Sequence, residues 1–128
     1  MSMVIMVMST HKIFVFGSNL AGRHGAGAAL HARTYYGAKY GQGKGLQGNS
    51  YAIPTKGHHL EVLPLDIIET YVKEFIVFAS QNNELEFLVT RIGCGLAGYK
   101  NEQIAPMFRH APDNCVFDNE WLKVLHSL

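Results

Sequence analysis

Cysteine is scarce in this chain: Cys94 and Cys115 are the only two among 128 residues. Two are too few for a disulfide framework, and one stands in a glycine-rich turn, so a reducing, cytoplasmic setting is expected. Net charge of one sign is missing as well. The formal value is +1 with neutral histidines, which supplies no global basic field for nucleic acid and leaves only local patches. No apolar run is long. The opening "MSMVIMVM" falls well short of the roughly 20 residues that span a bilayer. It also lacks the basic flank and small-residue cleavage pattern of a signal peptide. No membrane partner is expected, and residues 1–8 read as an extra strand or a ragged start. What remains, 48% hydrophobic and 16% charged residues, is the composition of one soluble globular domain over 1–128.

Strand-like and helix-like segments alternate. "KIFVFG" is β-branched and aromatic and stops at Gly17, which predicts a buried strand. "HGAGAALHARTYY", from about His24 to Tyr36, has the alanine content of a helix. "GAKYGQGKGLQG" carries too many glycines for either element and reads as a long loop. "NSYAIPT" is a second strand, expected to end at Pro54. Beyond Pro64, apolar residues at Ile67, Ile68, Tyr71, Val72, Phe75 and Phe78 follow helical spacing and predict the longest helix. "LEFLVTRIG" is a third strand, "NEQIAPMF" a short helix and "NCVF" a fourth strand. "NEWLKVLHSL" is a closing helix capped by Asp118 or Asn119. The order implies an α/β three-layer domain with a mixed, largely parallel sheet.

Two strands end in the same way, running through glycine and small residues into a helix: "FGSNLAGRHGAG" and "RIGCGLAGYKNEQ". In α/β domains, ligands bind where such loops converge at the carboxyl ends of strands. Glycine lets backbone N–H groups approach an oxygen-rich ligand, and a helix N-terminus favours negative charge. Two such loops suggest a phosphate or diphosphate. Named phosphate motifs fail, however. Gly43-Lys44 is followed by Gly45 where a P-loop needs Ser or Thr. Gly25-Ala-Gly27 meets Leu30 where the dinucleotide fingerprint needs glycine.

"HGAGAALHA", "YAIPTKGHH" and "TRIGCGLAGY" stand in an order and spacing that resemble the macrodomains. They are most similar to the ADP-ribosyl-glycohydrolase branch, which includes terminal ADP-ribose glycohydrolase and the DarG-type hydrolases. The resemblance covers a core of about residues 12–117 and implies a macrodomain-like fold with a pocket for ADP-ribose. Gly25, Ala26 and Gly27 would lie against the ribose-diphosphate, with Gly17, Ser18 and Thr55 at the strand ends beside them. Gly93, Cys94, Gly95, Leu96, Ala97 and Gly98 would close over the diphosphate. Lys56, in "IPTK", matches the branch's catalytic lysine, and a lysine near an anomeric carbon can attack it or form an imine with the opened sugar. Asn19 either orients the distal ribose or caps its own turn. The departing group also needs a proton, usually from a carboxylic acid, yet Ala97 stands where terminal ADP-ribose glycohydrolase carries aspartate. The implied function is removal of ADP-ribose from a modified macromolecule. The alternative is a non-catalytic reader of ADP-ribose or a related NAD-derived nucleotide. No cofactor is implied.

The remaining polar residues carry weaker signals. His58 and His59 are adjacent, so on a strand they would face opposite ways, and no cluster has zinc spacing; no metal is expected. His24 opens the helix beside the supposed diphosphate and is counted with the ligand contacts. Tyr99 either stacks on a sugar or base or belongs to the core. Cys94 lacks a base and reads as a small side chain in a tight loop. Arg91 either reaches a phosphate or anchors its turn. Lys39 and Lys44 among three tyrosines mark where a nucleic acid would lie if the modified substrate were one, though a flexible loop has the same composition.

Overall fold

The computed structural model describes residues 11–128; the expectation for residues 1–8 lies outside them. Five strands form one sheet in the order β2-β3-β1-β4-β5. They are β1 (His11–Asn19), β2 (Gly45–Gln47), β3 (Ser50–Lys56), β4 (Leu85–Val89) and β5 (Cys115–Phe117). The pairs β1–β3, β1–β4 and β4–β5 are parallel, and only β2 runs antiparallel, against β3. The helices are α1 (Gly27–Tyr35), α2 (Leu65–Gln81), α3 (Asn101–Ile104) and α4 (Asn119–His126), with a 3-10 turn at Ala105–Phe108.

Alternation along β1 explains the layers. Ile13 and Val15 point to one face and join Ile68, Val72 and Phe75 of α2, together with Phe87, Phe108 and Trp121. Each large side chain fully buried there contributes ~1.5–3 kcal/mol. Phe14 and Phe16 point to the other face, where Ala29 and Ala32 of α1 meet Ala38 and Ala52. The inner face of α1 is alanine, so that helix lies close on β1. The result is a three-layer α/β/α arrangement, mixed and mostly parallel. Among the described residues no helix is long and apolar enough to cross a membrane.

Several boundaries differ from the sequence reading. Helix α1 begins at Gly27 rather than near His24, because Ala26 is extended (φ −155°) and Gly27 has φ +57°. The glycine-rich loop contains the short strand β2, making five strands rather than four among the described residues. Strand β3 does not end at Pro54 but continues to Lys56. Strand β2 pairs only with Ser50–Ala52, and pairing on that side of β3 resumes only at Lys56 with Val62, so Pro54 falls in the gap and breaks no ladder bond there. Strand β4 stops at Val89, short of the predicted Gly93. His58 and His59 lie in the turn after β3, not on a strand.

Candidate functional site

The connections after β1 and β4 leave in opposite directions. From β1 the chain crosses through α1 to β3; from β4 it crosses through α3 to β5. Such a switch point opens a crevice at the carboxyl ends of the strands. The crevice here is a cleft of about 1020 Å³, at the upper end of the ~300–1,000 Å³ common for small-molecule sites.

Thirteen of the residues expected from the sequence at the site line this cleft: Gly17, Ser18, Asn19, Gly25, Ala26, Gly27, Thr55, Lys56, Gly93, Cys94, Gly95, Leu96 and Ala97; Arg91 lines it as well. Strand pairing brings Asn19 opposite Lys56, and the Leu20 amide donates to the Lys56 carbonyl at 2.9 Å. The two strand ends are thereby tied together. Lys56 is half-buried.

The Asn19 amide bonds to the backbone of its own turn. Its Nδ2 donates to the Arg23 carbonyl and its Oδ1 accepts from the Arg23 amide, both at 2.9 Å. Capping its own turn, the second of the two readings of this residue, is therefore the one observed. His24 is a correction to the sequence reading. It is fully buried and does not border the cleft. Its Nε2 lies 2.9 Å from the Gln42 carbonyl and 3.2 Å from Gln47 Oε1, and its ring stands edge-on to Phe16. It fastens the 42–47 segment beneath the turn. Tyr99 and Gly98 also lie outside the cleft lining. The Tyr99 hydroxyl donates to the Leu63 carbonyl at 2.6 Å, and its ring packs against the α2-side core, so the core reading holds for it.

The glycines of the site fall into two kinds. A Cβ on Gly22 would stand 2.3 Å from the Gly41 carbonyl carbon, and one on Gly43 2.2 Å from the Asn19 carbonyl oxygen. There the chain itself demands glycine. At Gly25 and Gly95 a Cβ would meet nothing within 4 Å, and neither has positive φ. Both border the cleft.

Helix α1 begins beside Gly25 with no side-chain cap on Ala26 and no acidic residue in its first turn. Its first N–H groups therefore present partial positive charge where Ala28 and Ala29 line the cleft. Arg23 and Lys56 line it too, and among the described residues neither has a carboxylate partner. Arg91, which also lines the cleft, does: its Nε is 3.8 Å from Asp118 Oδ1, both side chains being nearly half exposed. Burial pushes the Cys94 thiol up from its ordinary pKa, and a hydrogen bond with Trp121 and the charge of Arg91 offset this only in part. That direction disfavours the thiolate a nucleophile would need.

Sequence reasoning missed two charged lining residues. Arg23 was legible as a cation between the glycines of the first loop. Asp118 follows the last strand, and strand ends are where α/β sites gather, but along the chain the first acid beyond Ala97 is Glu102. Glu102 does not line the cleft, and Asp118 does. Among the described residues no group of three or more His, Cys, Asp or Glu side chains could hold a metal ion.

No protein-family model and no curated protein matches the chain. A crystal structure of a Bacteroides thetaiotaomicron protein, a structural-genomics target, is similar to it in fold. The TM-score is 0.58 at 18% identity, over 88% of this chain and 92% of that one. Fold is what the two share at that identity.

Proposed function

We propose that the cleft binds ADP-ribose and that the chain is a macrodomain-like hydrolase removing it from a modified macromolecule. One observation carries the reading. Two backbone segments, 25–29 and 93–97, border one cleft with glycines the chain does not need for its own packing at Gly25 and Gly95. Backbone open on two sides, an uncapped helix start and two unpaired cations suit a diphosphate. In hydrolysis the bond from the anomeric carbon to the acceptor breaks. The oxygen of water ends on that carbon, and the acceptor leaves with a proton. Lys56, at the end of β3, is the residue assigned to the anomeric carbon. Asn19 is a positioning residue that holds Arg23 and the glycine turn.

A second reading, a reader that binds ADP-ribose without turnover, is favoured by Ala97. That residue borders the cleft where an acid would be needed, and the carboxylate that does line it, Asp118, is held by Arg91.

Calorimetric titration with ADP-ribose, with AMP and NAD as controls, tests the binding. Selective micromolar affinity is expected, and no binding to any of the three would remove the proposal. Release of ADP-ribose from modified protein and nucleic acid then separates hydrolase from reader. Lys56→Ala should abolish turnover while leaving affinity within about fivefold, a loss of under ~1 kcal/mol. Activity retained in that variant would take Lys56 out of the chemistry.

A further inference from the structure

Among the described residues Leu60 is the one non-glycine with a positive φ, at +64°. In that left-handed region Cβ crowds the following carbonyl, and a side chain as large as leucine makes the backbone strained. Glycine or asparagine would sit there more easily. The core does not explain the choice either, because Leu60 is 42% exposed. It borders the cleft, as does Lys56 at the start of the same turn.

That turn is fastened along its length. The Leu60 amide donates to the Gly57 carbonyl at 3.1 Å, and the Gly57 amide to the Glu61 carbonyl at 2.8 Å. Lys56 bridges to Val62, and the Leu63 amide donates to the Thr55 carbonyl at 3.0 Å. Glu61 folds its carboxylate back into the space that a Cβ on Gly57 would take. Its Oε1 accepts there from the His59 amide at 3.0 Å. Bonds from its own amide and from that of His59 hold the carboxyl below its ordinary pKa. These contacts fix leucine in a conformation that leucine does not favour. Strain held in this way at the edge of a binding cleft points to a contact with the ligand.

We propose that Leu60 packs on the C–H face of the terminal ribose and holds that sugar beside Lys56. A furanose offers its hydroxyl groups to polar partners, while its C–H edges leave an apolar surface that a leucine can cover. The inference rests on the cleft reading, in which Lys56 meets the anomeric carbon. It adds a residue that recognises the sugar rather than the diphosphate.

The test is calorimetric titration of Leu60→Gly, Leu60→Asn and Leu60→Met with ADP-ribose and with ADP, which lacks the terminal ribose. Glycine and asparagine relieve the backbone and remove the apolar contact, whereas methionine keeps the contact. The first two variants should bind ADP-ribose about tenfold more weakly, the scale of a partly buried leucine, and ADP within about twofold of the unaltered protein. Leu60→Met should stay within about threefold for both ligands. In urea, Leu60→Gly should unfold at a midpoint equal to or above that of the unaltered protein. Undiminished ADP-ribose affinity in Leu60→Gly and Leu60→Asn would overturn the proposal and leave the cleft reading standing. An equal loss for ADP would do the same, as would a lowered urea midpoint, which would make Leu60 a folding residue. An unaltered protein that binds neither ligand would remove the cleft reading and this inference together.

Discussion

The Asn19 side chain closes on the backbone of Arg23 from both ends of its amide, at 2.9 Å each. This places an arginine at the mouth of the cleft without any contact from that arginine's own charge. Asn19→Ala removes both bonds and should cost ~1–3 kcal/mol in urea unfolding. ADP-ribose affinity should fall about tenfold, whereas Asn19→Asp keeps an acceptor for the Arg23 amide and should retain more of the stability.

The two kinds of glycine separate stability from binding. Gly22→Ala should destabilise by roughly 2–4 kcal/mol, because the new Cβ meets backbone at 2.3 Å in a left-handed conformation. The double change Gly25→Val and Gly95→Val should stay within about 1 kcal/mol of the parent in stability, yet lower ADP-ribose affinity roughly a hundredfold by closing the backbone approach. Undiminished affinity in the double variant would mean that the ligand sits elsewhere.

Asp118 serves two partners. Its Oδ1 accepts from the Glu120 amide at 2.8 Å as the cap of α4 and lies 3.8 Å from Arg91 Nε. Asp118→Asn keeps a capping oxygen and releases Arg91 to the cleft. Affinity for ADP-ribose should rise about threefold, the scale of an exposed ion pair. A simultaneous collapse of turnover would identify Asp118 as the proton donor that Ala97 cannot be.

Alkaline pH should unfold the protein earlier than acid-labile contacts would suggest. Burial pushes Tyr51 up to about 12, with the charge of Glu74 adding to it, and burial alone pushes Cys115 up to about 12. Both groups hold their protons longer folded than unfolded. Stability is therefore full below their ordinary values of 10.0 and 9.0 and is lost as pH rises toward 12. Thermal unfolding followed from pH 8 to 11 should show the midpoint falling, and Tyr51→Phe should flatten the upper part of that curve.

Sequence alone determined the alternation of elements, the burial of β1 and the 17-residue helix α2, because periodicity and propensity are local properties of a chain. It also marked both glycine loops, since glycine is visible wherever backbone must turn or be approached. The tertiary structure decided which side chains share the cleft. Pairing of β4 with β5 sets Val89 beside Phe117 and so carries Asp118 to Arg91, residues 27 positions apart that no local pattern connects. Packing took His24 and Tyr99 the other way: each side chain lies in hydrogen-bond reach of a part-buried carbonyl far along the chain, Gln42 for His24 and Leu63 for Tyr99, a partner that only the tertiary fold supplies.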